Sequence, residues 1–377
     1  MAALFAGRDV AVNRHAAFED TPSLAERFAA GGWSTHALVA NPLLTAVNGY
    51  ARGFERYEVA PARSTNDLLS DLRTLRAWDA AALVSRVRDE FLELSVEKPL
   101  FLYVHFMDPH LPYDPAHESL AEPQPGWSGP DDAGRFQAFV ETPDAAQQQL
   151  LSGWRRSYDG QVAFVDSALT RLVDLLELRR PRPRLIVVLS DHGEGLFDHR
   201  RDADSEDRPG PLGQGYEDHG EMLHEEALRV PLVLLGPGIP AGRIEPRPVT
   251  CRDVGATLLA LAGLPAPGPL LPLDPSARVD PLVFGCSTRG SFVRSAEWKY
   301  VEPDTARLLR GIRPRLWRVG GGDFLAELED YSEREPELAA SLRRALQEHA
   351  AALQENAPAG GPDPETLQRL RQLGYVR

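Results

Sequence analysis

The chain has 377 residues, of which 43% are hydrophobic and 25% are charged, a composition that is typical of a folded protein and excludes a disordered chain. Its 41 lysines and arginines against 55 aspartates and glutamates give a formal net charge of −14, which argues against nucleic acid as a partner. No apolar run approaches the roughly 20 residues of a membrane-spanning helix, and no signal peptide is visible, so the compartment stays unknown.

The first half of the chain alternates helical spacing with apolar runs of the kind that buried strands have. In chain order we predict a helix over 22–31, a strand over 33–40, helical segments over 65–97, a buried strand over 99–105, a surface excursion over 114–145 and a helix over 147–180. In the last helix, one apolar face is predicted to hold Val162, Val165, Leu169, Leu172 and Leu176.

The second half continues the alternation and then changes character. We predict a buried strand over 184–190, a mobile loop over 198–218, a strand over 230–235, a helix over 252–263, short strands over 291–301 and 316–328, a helix over 336–354 and, after a linker over 358–364, a last short helix. This order predicts an α/β fold with a largely parallel central sheet flanked by helices. We assign 1–285 to that core and 286–377 to a small antiparallel α+β subdomain with a helical tail.

Histidines concentrate in the middle of the chain, where seven of the ten lie between His105 and His224. The strongest local pattern is SDHGE at 190–194, directly after a buried strand, where open α/β sheets bind ligands. Asp191 offers an anionic oxygen and His192 a neutral nitrogen, and in a tight turn both could reach one divalent ion. The alternative is that Asp191 caps a helix and His192 bonds locally, which leaves the other histidines unexplained.

Two further histidine motifs accompany the first. In HFMDPHLPY at 105–113, prolines fix the turn after a strand, so His110 could bind an anion or protonate a leaving group, or be a plain polar residue at a strand end. His105 begins the same motif and is a weaker candidate. His219, before a glycine in DHGEMLHEE at 218–226, could contact the same anion, whereas His199 and His224 are interpreted as weaker candidates, possible surface residues.

Together these motifs resemble the sulfatase branch of the alkaline-phosphatase-like superfamily. The resemblance covers nearly the whole chain, with segments in the family order: LAERFAAGGWSTHALVANPLL, KPLFLYVHFMDPHLPY, YDGQVAFVDSAL, LIVVLSDHGEGL, HGEMLHEEALRVPLVLLGPG, CRDVGATLLALAGLP and SAEWKYVEP. It implies an alkaline-phosphatase-like fold and metal-dependent hydrolysis of the sulfuric ester of a sulfated small molecule or glycan. Ca²⁺ is the expected metal, with Mn²⁺ and Zn²⁺ as alternatives because His192 stands where many sulfatases have asparagine.

The resemblance also implies a role for each candidate residue. Asp191 and His192 correspond to a pair of metal ligands, and His110 to the histidine that contacts the sulfate and assists the leaving group. His219 stands near a lysine or histidine that binds the sulfate and is assigned a catalytic role. Asn41 and His105 are assigned to substrate binding, since Asn41 lies about where many sulfatases carry a lysine.

The chain departs from the family at its beginning. LFAGR at 4–8 matches the end of the helix that follows the family's nucleophile, so the first strand, its paired aspartates and the formylglycine nucleophile are absent from this sequence. Neither Cys251 nor Cys286 has the context to replace that nucleophile. We therefore expect an N-terminally truncated sulfatase, inactive as written, with Met1 either an internal methionine or the start of a true remnant.

Three alternatives follow for function and local structure. The same fold could instead hydrolyse a phosphodiester or phosphonate, or transfer phosphoethanolamine. Besides these two hydrolase or transferase interpretations, the chain could be a non-catalytic remnant that binds a metal or an anion. In the C-terminal part, Arg294, Trp298 and Lys299 could border the mouth of the active site, although a purely structural hairpin is favoured.

Overall fold

The computed structural model describes most of the chain. The described residues are 1–7, 9, 21–41, 44, 46, 49–61, 78–91, 97–110, 113, 117, 120, 145–200, 215–218, 223–274, 276, 282–287, 290–303, 313–320, 327 and 329–355. The predicted surface excursion is almost wholly outside these residues, as are the linker, the last short helix and much of the segment 65–97.

A parallel sheet forms the centre of the first part of the chain. Strand β1 (Ser34–Val39) lies between β2 (Arg56–Val59) and β3 (Leu100–His105), and both pairings are parallel. All six residues of β1 are buried, which matches its central place. Helices pack beside this sheet, so the predicted α/β fold is confirmed.

A second pair of strands runs antiparallel. Strand β4 (Ile186–Leu189) pairs with β7 (Leu232–Leu235), with Ile186 opposite Leu235. Both strands occur where they were predicted, but their pairing departs from a wholly parallel sheet. Because Leu189 at the end of β4 lies opposite Leu232 at the start of β7, β7 begins at the end where β4 finishes.

The predicted loop over 198–218 is wrong in part. Strands β5 (Gly195–Arg200) and β6 (Gly215–Asp218) form an antiparallel two-stranded ribbon. Their polar residues lack the apolar alternation by which a half-buried strand is recognised in sequence, so the pattern favoured a loop.

Helices surround the strands in the predicted order. They are α1 (Ala2–Ala6), α2 (Leu24–Ala30), α3 (Ala80–Arg86) with a π-helical continuation (Val87–Phe91), α4 (Ala145–Arg179), α5 (Glu225–Leu228), α6 (Cys251–Leu261) and α7 (Pro336–Glu355). On α4 the predicted apolar face is partly wrong: Val162 is 44% exposed, whereas Gln161, Ala168 and Leu172 are buried. No described helix combines the length and apolar character needed to cross a membrane.

Helix α1 belongs to the core. Leu4, Phe5 and Ala6 are buried in one cluster with residues of α2 and α6. The ring of Phe5 meets the rings of Tyr50 and Tyr103 edge to face, at centroid distances of 6.0 Å and 5.1 Å. This packing fixes the start of α1 beside β3.

Helix α2 begins with a capping box. The Ser23 hydroxyl accepts a hydrogen bond from the Glu26 amide at 3.1 Å, and the Glu26 carboxylate accepts one from the Ser23 amide at 2.7 Å. The same hydroxyl donates to the carbonyl oxygen of Arg52 at 2.8 Å, which ties α2 to the segment before β2.

Replacing Ser23 by alanine is therefore expected to lower the free energy of unfolding by about 1–2 kcal/mol, because a helix cap and a partly buried carbonyl group both lose their partner. Ser167→Ala on α4 is the matched control, since its exposed hydroxyl bonds only within the helix, to Ala163. Chemical denaturation measures both. Equal stability of the two variants would contradict the capping role.

The last part of the chain forms an antiparallel sheet packed on α7. Its strands are β8 (Val283–Cys286), β9 (Gly290–Arg294), β10 (Trp298–Pro303) and β11 (Arg315–Arg318). Val293, Tyr300 and Leu316 pack with apolar residues of α7. The sheet thus begins at Val283, three residues before residue 286, and the division of the chain into two domains stays a prediction.

Candidate functional site

The SDHGE motif forms a tight turn directly after β4. The amide of Gly193 donates a hydrogen bond to the carbonyl oxygen of Ala227 in α5 at 2.8 Å. A Cβ atom at position 193 would lie only 1.8 Å from the carbonyl oxygen of Glu226, so this close approach requires glycine. The backbone of α5 therefore holds the turn that carries Asp191 and His192.

The ring of His192 has a defined tautomer. Its Nδ1 lies 2.7 Å from the carbonyl oxygen of Gly193, and only a protonated nitrogen can donate to a carbonyl. In the neutral imidazole the lone pair is then on Nε2, which lies 3.7 Å from Oδ1 of Asp191. A carboxylate oxygen and an imidazole nitrogen thus lie side by side, as two donors to one cation would.

Asp191 lies near the start of α1 and the end of β3, because the α-amino group of Met1 and the ring of His105 both act on its carboxyl group. Burial raises the pKa of its carboxyl group, but the nearby His192, the α-amino group of Met1 and His105 outweigh burial, so the pKa is lowered overall. In turn, burial and the Asp191 charge raise the pKa of Tyr50 to about 12 and that of Tyr103 well above its usual value. The Asp191 side chain stays 28% exposed, so a ligand can reach it.

The structure brings His105 and His110 to the same place. The His110 ring lies 6.5 Å from the His192 ring, nearly perpendicular to it. Burial lowers the pKa of His105, which favours the neutral form of its ring, while the Asp191 charge acts in the opposite direction. The buried Nδ1 of His105 has no hydrogen-bond partner in another described residue.

The remaining candidates are placed less fully. Asn41 follows β1, and because β1 and β3 are parallel with Val39 opposite His105, Asn41 lies at the edge of the sheet where His105 ends its strand. His219 lies outside the described residues, so its role stays a prediction. Sequence reasoning missed Tyr50 and Tyr103, although Tyr103 shares a strand face with His105 two residues on.

The donor set suits a divalent cation but is small. Across the part of the chain that the structure describes, no three His, Cys, Asp or Glu side chains are grouped closely enough to hold a metal ion. Asp191 and His192 supply two donors of the right chemistry, and divalent cations want more. Further donors would have to come from outside the described residues or from the ligand.

His224 and Lys299 correct two expectations. His224 is a buried residue, with its ring 5.3 Å from that of Trp317, and is not at the surface. Lys299 is fully buried, which excludes a place at the mouth of the site and agrees with the structural alternative. It contacts the carboxylates of Glu225 and Glu327, which are buried as well.

The ionised state of Glu327 is expected to make the stability of the fold sensitive to acid. Burial raises the pKa of its carboxyl group, but Lys299 and His224 outweigh burial and bring the pKa to about 2, from an ordinary 4.5. A lowered folded-state pKa gives stability that is present above pH 4.5 and is lost as the pH falls towards 2. Over that pH range, the melting temperature of Glu327→Gln should fall less steeply than that of the unmodified chain. Exposed Glu297→Gln is the control, and a parallel decline of all three would contradict the role of Glu327.

Known sulfatases are similar in sequence to this chain. Arylsulfatase K of Rattus norvegicus is 26% identical over 213 residues, which is 51% of this chain and 34% of that protein. An endo-4-O-sulfatase of Bacteroides thetaiotaomicron is 23% identical over 232 residues, 59% of this chain and 40% of that protein. The chain thus spans about a third of the length of the first curated relatives it matches.

Solved structures share the fold over almost the whole chain. One, determined in complex with its substrate D-glucosamine-2-N,6-O-disulfate, has a TM-score of 0.67 at 16% identity and covers 95% of this chain and 88% of its own. A phosphonate monoester hydrolase of Agrobacterium radiobacter has a TM-score of 0.59 at 20% identity, covering 94% and 85%. The sequence model of the sulfatase family matches residues 3–264. With its alkaline-phosphatase-like α/β fold, the chain belongs to the sulfatase family.

Proposed function

We propose that this protein is a sulfuric ester hydrolase that depends on a divalent metal. The proposal rests on the proximity of His110 to the Asp191–His192 turn in a chain of the sulfatase family. The centroids of the His110 and His192 rings are 6.5 Å apart. The Asp191 carboxylate and the imidazole rings of His192 and His110 then lie close to one another. These groups suit a cation and the tetrahedral anion beside it.

Each residue has a proposed part. Asp191 and His192 would hold the cation, which supplies Lewis-acid polarisation of an ester oxygen when bound. Ca²⁺ is proposed first, with Mn²⁺ and Zn²⁺ as alternatives. His110 is proposed to donate a proton to the leaving group, and His105, whose Nδ1 has no partner within the described part of the chain, to bind the substrate.

The proposal also includes His219 and Asn41. His219 is proposed to stabilise the transferred group and Asn41 to contact the substrate. The resemblance assigns the family's formylglycine nucleophile to no residue of this chain, so its residues are proposed to supply binding, orientation and proton transfer. The proposed substrate is a sulfated small molecule or glycan, supported by the disulfated glucosamine that a structural neighbour binds.

Hydrolysis of 4-nitrophenyl sulfate tests the proposal. The printed chain and a form that includes any in-frame residues encoded before Met1 are assayed side by side, after chelation and after the return of Ca²⁺, Mn²⁺ or Zn²⁺. Turnover that chelation removes and one metal restores is the expected result. Cation binding without turnover in either form would favour the non-catalytic alternative and would overturn the proposal.

Phosphonate monoester hydrolysis is the second candidate. It is favoured by the phosphonate monoester hydrolase among the structural neighbours and by histidine instead of asparagine at position 192. A phenyl phosphonate monoester assayed under the same conditions separates the two. If kcat/KM for this compound exceeds that for the aryl sulfate, the second candidate replaces the first.

A further inference from the structure

A buried ionic cluster joins the C-terminal sheet to the segment 223–229. Lys299 of β10 donates to the carbonyl oxygen of Leu223 at 2.7 Å and to the carboxylate of Glu225 at 3.1 Å. The Glu327 carboxylate contacts the same ammonium group and accepts a hydrogen bond from the amide of Glu225 at 2.6 Å. Arg294 of β9 donates two hydrogen bonds to the Glu225 carboxylate, from Nε at 3.1 Å and from Nη2 at 2.9 Å.

The cluster binds the backbone of this segment as well as its side chains. Two of its bonds end on main-chain atoms, the Leu223 carbonyl oxygen and the Glu225 amide. A salt bridge between side chains alone would leave the main chain free to shift. These bonds instead fix the start of α5 against β10.

Helix α5 in turn touches the candidate site. The carbonyl oxygen of Ala227 accepts the Gly193 amide, and the carbonyl oxygen of Glu226 closes over the Cα of Gly193. A continuous path of hydrogen bonds therefore runs from Lys299 through α5 to the turn that holds Asp191 and His192.

We infer that Lys299 is a positioning residue, which sets the place of the Asp191–His192 turn through α5 without touching the substrate. That this positioning serves catalysis rests on the proposed function. The coupling of Lys299 to the turn through α5 does not depend on it. The charges support the inference: Lys299 and Arg294 balance Glu225 and Glu327, so the cluster can be buried at a fixed geometry. A change at β10 is then transmitted to a turn in the α/β core.

The test is hydrogen–deuterium exchange in folded variants. Lys299→Met leaves the buried Glu327 carboxylate without its lysine partner, so Lys299→Met/Glu327→Gln is made as well. The double variant removes one charge of each sign and keeps a carbonyl group for the Glu225 amide. The control is Arg318→Met on the same sheet, where an exposed arginine pairs with Glu297 and contacts neither α5 nor the turn.

For the double variant we expect the amides of 190–196 to exchange about tenfold faster or more, with those of 223–229, while the control stays within about twofold of the unmodified chain. A structural role confined to the C-terminal sheet would change exchange in 290–303 alone, and that result would overturn the inference. The readout needs no activity, so it stands apart from the test of the proposed function.

The unmodified chain gives a second measurement that is independent of whether the variants fold. Exchange followed in increasing guanidinium should show 190–196, 223–229 and 290–303 opening together with one dependence on denaturant. If 190–196 opens at lower denaturant while 290–303 stays closed, the inference fails.

Discussion

In the form that includes any in-frame residues encoded before Met1, replacing Asp191 by asparagine is expected to lower kcat/KM for an aryl sulfate by about 10³-fold or more, with little change in fold. Asparagine has the same shape but no charge, so a cation would keep only the neutral nitrogen of His192 and lose the anionic donor beside it. The loss falls on charge stabilisation in the transition state, which is the largest contribution in many enzymes.

Steady-state kinetics and calorimetric titration with Ca²⁺, Mn²⁺ and Zn²⁺ measure this effect. Asp89→Asn is the matched control, because Asp89 is an exposed aspartate that pairs only with its neighbour Arg88. Cation affinity should fall with activity in Asp191→Asn and be retained in the control. Unchanged affinity with unchanged activity would remove Asp191 from the site.

Replacing Gly193 by alanine is expected to affect stability and activity together. The added methyl group would lie 1.8 Å from the carbonyl oxygen of Glu226, a backbone atom that cannot move without α5. We expect a loss of about 3 kcal/mol in the free energy of unfolding, the upper part of the range for overpacking. Displacement of Asp191 and His192 by the same shift should cost about 100-fold in kcat/KM.

The same exchange of glycine for alanine at position 153 is the control. Gly153 is inside α4 and a Cβ atom there would meet nothing within 4 Å. Because alanine favours the helix, Gly153→Ala should gain about 0.5–1 kcal/mol. Denaturation and kinetics on both variants measure the difference, and a Gly193→Ala protein as stable as this control would show that the turn is not held by α5.

The parts of the site that follow a buried strand could be predicted from the sequence. Strand β4 and the turn at Asp191 form one continuous pattern of apolar residues followed by polar ones, and β3 with His110 repeats it. Such a pattern is local, so neighbouring residues contain the whole signal. The family resemblance added roles to these positions, and the family match over 3–264 agrees with it.

The buried charges could not be predicted in this way. A lysine in an amphipathic strand is usually exposed, so the sequence favours a structural hairpin at Lys299 but does not predict its burial. Its partners are Glu225, 74 residues earlier, and Glu327, and no local pattern announces such a pairing. The burial of His224 could not be predicted for the same reason, since the residues that it contacts, Glu327 and Trp317, are distant in sequence.

The order of synthesis gives these long separations a further consequence. Glu225 leaves the ribosome 102 residues before Glu327, an interval of roughly 5 to 20 seconds at ordinary elongation rates. During that time the strands of the core can pair, but the segment after β6 still lacks its anchor. The turn that carries the candidate ligands is therefore completed late, when nearly the whole chain has emerged, and a nascent chain that ends before residue 327 would have a folded sheet with an unfinished site.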